Sequence, residues 1–409
     1  AGDAKTKAII ADSLKSRPAL QWNVWEELGK SNECIKAVLE AEAEVLGGGY
    51  ISRYGEIREK CRKSKGDEKQ ERTPLEIDAV HEGWIVIHFY LNKLEEMGYA
   101  IIANGEDSSK WEVKSFKYDE LFAAYIEWQG NYNHLPFDEK VRSADSLLKL
   151  CRTIGEKMQF LFDINSSQVL FIPHDFLHRL PLHGAITSEN TMFLEEHATC
   201  YLTSWAYMNH KDSLSVNSQK LLLKNLPNNE NLELKNTIDL SWDVNKDDLS
   251  GDDFINEIKK TATPPEMLCV ICHGESDIVN PFNSKLKFAG GLPLLRLQQA
   301  DINLKGSKVI LGACEADMMF PLTSELDEHL TLTSAFLNLD KNPYEILGTL
   351  WQAFFPRIDG IVKDVYSSVD LMSAVNGWQK EMISEWKEAK ADNENLYESL
   401  TFRVTRTYF

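Results

Sequence analysis

The sequence predicts an α/β protein: a mostly parallel sheet covered by helices, preceded by a helical segment. Two observations carry this. Met267-Leu268-Cys269-Val270-Ile271-Cys272 and Val309-Ile310-Leu311-Gly312-Ala313 are continuous apolar runs. Strands read this way when both faces are buried, as in parallel sheets under helices. Between them, Leu294, Leu295, Leu297, Ala300 and Ile302 recur at helical spacing. That is a strand, a crossover helix and a second strand, which a parallel pair requires.

The chain has 409 residues, enough for two or three domains with a large core. Its 43% hydrophobic and 26% charged content is that of a globular protein. No run of eighteen apolar residues is present, so no membrane span is expected. The start, Ala1-Gly2-Asp3-Ala4-Lys5, has no signal-peptide pattern and no initiator Met. A processed chain or a fragment is therefore expected. The net charge of −19 opposes direct nucleic-acid binding, which needs phosphate neutralisation by Lys and Arg. A protein partner or peptide substrate suits it better. Seven scattered cysteines fit free thiols in a reducing cytoplasm.

Along the chain, residues 1–60 read as helices, with Trp22, Trp25, Leu28, Ile35, Val38 and Leu39 at helical spacing and Gly47-Gly48-Gly49 as a stop. Residues 61–75 read as a charged loop or linker. Trp84 to Tyr90 and Tyr99 to Ala103 read as strands, and Lys117 to Phe162 as two or more amphipathic helices. Val169 to Ile172 is a short strand stopped by Pro173, followed by a tight loop from His174 to Pro181. Residues 211–265 read as a long polar connection, with strand-like Leu221-Leu222-Leu223 and a helix from Phe254 to Lys260. Lys285 to Phe288 reads as a small hairpin strand.

The two apolar strands end in His273-Gly274 and in Cys314. Neighbouring parallel strands present their C-terminal ends at one sheet edge, where open α/β sheets place reactive groups. A thiol with a pKa near ~8.5 is only partly ionised at neutral pH. An adjacent imidazole takes its proton as sulfur attacks a carbonyl, and returns it to the leaving amine. The backbone N–H groups of Gly274 and Cys314 are the candidate oxyanion donors, each such donor typically being worth ~3 kcal/mol. Gly312 and Ala313 suit a crowded turn before the nucleophile.

At these residues the sequence resembles the CHAT family, relatives of caspases and separases. The family pattern is a strand ending in His-Gly and a strand ending in small-Ala-Cys-Glu. Here those are Cys269 to Glu275 and Val309 to Glu315. Leu170 to His183 resembles the family's upstream strand and loop. Asp327 to Leu337 resembles its helix after the nucleophile, and Gly348-Thr349-Leu350-Trp351 its later core strand. The loop Ala316-Asp317-Met318-Met319 departs from the family's usual small pair. The resemblance spans about residues 80 to 385.

It implies a caspase-like fold with a pseudo-caspase half at 76–215 and a catalytic half at 216–409. It implies peptide hydrolysis by a His273/Cys314 dyad without metal, ATP or other cofactor. It also implies that residues 1–60 are a remnant of tetratricopeptide (TPR) repeats. One sub-group joins such repeats to a CHAT protease that docks on a type III-E CRISPR effector in antiviral defence, and the polar 211–265 stretch and acidic charge are compatible with it. The expected dyad is held apart, with residues 315–330 mobile or misplaced, until a regulatory protein or ribonucleoprotein activates it. A non-catalytic CHAT scaffold and a cysteine-dependent acyl transferase are the rival readings.

Glu275, Glu315 and Asp317 lie near the dyad in sequence and are candidates for a substrate pocket selecting a basic residue; solvated carboxylates or a helix cap at Asp317 are the plainer reading. Cys269-Val270-Ile271-Cys272-His273 matches a haem-attachment pattern. Strand alternation sends its two cysteines to opposite faces, so haem and zinc are both rejected. His174, His178 and His183 are read as packing residues rather than metal ligands.

Overall fold

The computed structural model describes residues 80–407 apart from internal segments, the longest being 135–144, 204–216, 277–283 and 319–330. The helical segment 1–60, the linker 61–75 and Asp327 to Leu330 lie outside the described residues. So does most of the stretch 315–330 expected to move.

One sheet of eleven strands organises the described chain. Its first part is built from β1 (Trp84–Asn92), β2 (Met97–Asn104), β3 (Trp111–Lys117), β4 (Gln168–Ile172) and β5 (Ala198–Tyr201). The rest comes from β6 (Lys220–Asn225), β7 (Val244–Lys246), β8 (Met267–Cys272), β12 (Lys308–Gly312), β13 (Glu345–Thr349) and β14 (Phe402–Arg406). The spatial order is β3-β2-β1-β4-β5-β14-β13-β12-β8-β6-β7. Only β1 with β2, β2 with β3 and β13 with β14 pair antiparallel. A separate small sheet joins β9 (Gly274–Glu275), β10 (Lys285–Leu286) and β11 (Leu292–Pro293).

Both faces of the sheet are covered. In β1, Trp84 and Val86 enter one apolar cluster while Ile85, Ile87 and Phe89 enter the other. Leu170 and Ile172 of β4 part from Val169 and Phe171 in the same way. Every residue of β8 and β12 is buried, as continuous apolar runs require. Among the described residues, the helices longer than one turn are α1 (Asp119–His134), α2 (Asp145–Lys157), α3 (Gly251–Lys259), α4 (Leu294–Gln299), α5 (Phe355–Tyr366), α6 (Leu371–Ala389) and α7 (Glu394–Thr401). α3 starts in a capping box in which Ser250 accepts from the Asp253 N–H. Among the described residues, no helix is long and apolar enough to cross a membrane.

The described part of the 211–265 stretch is more than a polar connection. It supplies β6, bonded along its length to β8, together with β7 and α3. β7 carries Val244-Asn245-Lys246 at an exposed edge, so no apolar signal announced it. Residues 331–337 hold only a 3₁₀ turn, Ser334–Phe336, rather than a regular helix. β14 runs between β13 and β5, so the last described strand closes the sheet across its middle.

Candidate active site

β6, β8 and β12 are consecutive parallel neighbours, with Leu221 beside Leu268 and Val309 beside Leu268 on the other side. Their C-terminal ends therefore share one sheet edge. His273 and Gly274 leave β8 there; Ala313 and Cys314 leave β12 there.

The two turns touch. A Cβ placed on Gly274 would lie 2.1 Å from the Cys314 carbonyl oxygen, so only glycine fits this approach. Ser276 Oγ donates to the Glu315 carbonyl at 3.3 Å. The Cys314 turn is also tied to the end of β13. Thr349 Oγ1 donates to the Ala313 carbonyl at 2.7 Å, and the Asp317 N–H donates to the Thr349 carbonyl at 2.8 Å. Glu315 takes the left-handed conformation, φ 57°, at the crest.

Cys314 and His273 are each engaged with other residues. Cys314 Sγ donates to the Ala353 carbonyl at 3.8 Å, and no hydrogen bond joins it to His273. Burial pushes the thiol up to about 11, with Glu315 and Glu398 adding to the rise and the Ala353 contact opposing it. The sulfur is therefore a neutral thiol at pH 7. The His273 ring packs edge-on to Phe355, centroids 5.4 Å apart. Its Nε2 lies 2.8 Å from Glu230 Oε2.

The three candidate pocket carboxylates have different fates. Glu275 is exposed and 3.2 Å from both Lys285 and Lys287, whose hydrogen bonds hold its carboxyl below the ordinary range. Glu315 Oε1 accepts from Tyr132 Oη at 2.7 Å. Asp317 corrects the expectation of a pocket acid. It is wholly buried and ion-paired with Arg403 of β14, with Thr331 Oγ1 donating to it at 3.2 Å. A carboxylate so enclosed meets no substrate.

The other singled-out residues are packed. Cys269 and Cys272 are both buried, and burial raises both thiols. His174 Nδ1 accepts from the Leu91 N–H at 3.1 Å. His183 Nδ1 lies 2.8 Å from Tyr201 Oη, and burial pushes this imidazole down to about 3. The His178 carbonyl accepts from Arg403 at 2.7 Å.

Sequence reasoning missed Glu230, Tyr132, Glu398 and Arg403. Glu230 had a usable signal: Leu221-Leu222-Leu223 is a third apolar run, and this carboxylate follows its end. Tyr132 and Arg403 reach the Cys314 loop only through long-range contacts, which no local pattern records.

No protein-family model matches the chain, and no curated protein matches it. Its fold is similar to that of separase in two Saccharomyces cerevisiae separase–securin complexes. One alignment has a TM-score of 0.54 at 9% identity, covering 91% of this chain and 33% of the other. The second has a TM-score of 0.52 at 8% identity, covering 80% and 30%. This chain thus spans about a third of the length of the separase-complex chains it matches. The Arg-specific cysteine proteinase gingipain R aligns with a TM-score of 0.37 at 10% identity, over 71% and 74%. At such identity the separase alignments speak for the fold alone, and the fold is caspase-like α/β.

Proposed function

We propose that this chain is a regulated cysteine endopeptidase of the CHAT type, with Cys314 as nucleophile and His273 as general base. The observation that carries it is the seating of Gly274 against the Cys314 carbonyl, which sets the two turns in contact at one sheet edge. In the working state, His273 takes the thiol proton as sulfur attacks the scissile carbonyl. The N–H groups of Gly274 and Cys314 stabilise the oxyanion. The amine leaves with the proton, and water then hydrolyses the thioester.

The resting thiol bonds Ala353 and is neutral, so activity requires a change at the nucleophile. A regulatory protein partner supplies it in this reading, as separase is seen with securin in the similar structures. A ribonucleoprotein activator of the type III-E CRISPR kind follows from the family resemblance. The same neutral thiol favours the second reading, a non-catalytic CHAT scaffold. Incubation with candidate partners and N-terminal sequencing of the products decides between them. New termini with the parent and none with Cys314→Ala support the peptidase; identical products from both, or no labelling of Cys314 by a thiol probe in any activating mixture, support its rejection.

A further inference from the structure

The geometry points to Glu230 as the positioning residue of this dyad, fixing which nitrogen of His273 receives the thiol proton. The inference rests on the peptidase reading and deepens it.

Three neighbouring strands deliver the three groups. β6 ends at Asn225 and leads to Glu230; β8 leads to His273; β12 leads to Cys314. β8 is the middle strand, so the imidazole stands between a carboxylate side and a thiol side. Glu230 is anchored by its own backbone, its N–H donating to the Pro227 carbonyl at 2.9 Å. The side chains of Glu230 and His273 are 25% and 37% exposed, so the pair is partly shielded from solvent. Oε2 itself is buried and makes no in-line hydrogen bond.

At 2.8 Å the negative charge of the carboxylate favours a proton on Nε2 over a bare lone pair there, even with the N–H out of line. That selects the Nε2–H tautomer and leaves Nδ1 as the lone pair free to accept from sulfur. Once Nδ1 takes the proton, the ring is a cation, and Glu230 faces it as the counter-charge. The other charged groups around the ring's turn are spent elsewhere: Glu275 on Lys285 and Lys287, and Glu315 on Tyr132. In this role Glu230 acts through His273 and not on the substrate.

The test reads the tautomer directly, on the full chain with ¹⁵N-labelled histidine. Long-range proton–nitrogen spectra distinguish the two tautomers, and His273→Ala assigns the signal. The parent is expected to hold His273 as Nε2–H. In Glu230→Gln, whose amide both donates and accepts, the ratio of Nε2–H to Nδ1–H is expected to fall roughly tenfold. Unchanged thermal unfolding keeps the comparison one of position rather than folding. An Nδ1–H tautomer in the parent, or an unchanged ratio in Glu230→Gln, overturns the role of Glu230. Neither result touches the peptidase reading, which falls only to the Cys314→Ala comparison.

Discussion

Tyr132 of α1 donates a 2.7 Å hydrogen bond to Glu315, the residue that follows Cys314. The same hydroxyl accepts from the Gln352 N–H at 3.1 Å. One phenol from the first part of the chain thereby holds both loops that flank Cys314. It is buried, and burial followed by Glu315 drives its ionisation well above the ordinary tyrosine range, so it remains a donor at all working pH values.

Tyr132→Phe removes that donor and leaves the ring packing against Trp128 intact. Loss of a hydrogen bond to a carboxylate is expected to cost about 1.5–3 kcal/mol. Urea unfolding of the two proteins measures it. Glu315, held at positive φ, loses its restraint, so peptidase activity in an activating mixture is expected to fall further than stability does. Equal activity and equal stability would show that the bond restrains nothing.

Gly274→Ala tests the contact between the two turns. The added carbon meets the Cys314 carbonyl at 2.1 Å, a distance that forces one turn to move. Overpacking of this kind costs typically ~1–3 kcal/mol. A shift of about 1 Å in a reacting group costs roughly a hundredfold in rate. Activity is therefore expected to collapse while the variant still folds, as circular dichroism and cleavage assays on one preparation will read. An alanine variant with parental activity contradicts the seating of these turns.

Asp317→Ala separates a structural carboxylate from a specificity carboxylate. Arg403 is buried, lies over the Tyr201 ring at 4.5 Å and bonds the His178 carbonyl. Removing its counter-ion leaves a buried charge, which is expected to cost about 3–5 kcal/mol. Replacing both partners with apolar residues, Asp317→Leu with Arg403→Met, is expected to recover much of this loss. Thermal unfolding ranks the three proteins. A stable Asp317→Ala variant with altered preference for the cleaved residue would return Asp317 to the substrate pocket.

The sheet edge that carries His273 and Cys314 was legible because β8 and β12 are apolar runs, and parallel pairing fixes where their ends lie. Glu230 was passed over although Leu221-Leu222-Leu223 marked a strand, because it lies beyond that strand's end among Asn-rich residues that read as loop. β14 shows a different limit. Phe402-Arg403-Val404-Thr405-Arg406 alternates like a half-exposed strand, yet all five residues are buried. Its arginines are neutralised by Asp317 and Glu345, partners far away in sequence. Local pattern reports the polarity of a residue and is silent on a distant counter-charge. For the same reason Asp317 reads as a pocket acid from sequence, although Arg403 had already claimed it.

Glu398 of α7 links stability to pH at the site itself. Its carboxyl is buried, and burial pushes it up to about 8, with Arg357 and the Phe354 backbone pulling the other way. In the unfolded chain the group ionises at its ordinary value near 4.5. Between these two values the folded protein holds a proton that the unfolded chain has released. Stability must then fall as pH rises through this window, and level off beyond it. At full extent the loss is on the order of 5 kcal/mol. Glu398→Gln carries a neutral amide at every pH, so it is expected to lack this slope and to exceed the parent in urea midpoint at pH 8.5. Glu398 also raises the Cys314 thiol, and its removal is expected to quicken alkylation of Cys314 at that pH. Urea titrations at intervals from pH 5 to 8.5 read the first effect. A Glu398→Gln curve parallel to the parent's would place the buried carboxyl in its ionised form throughout.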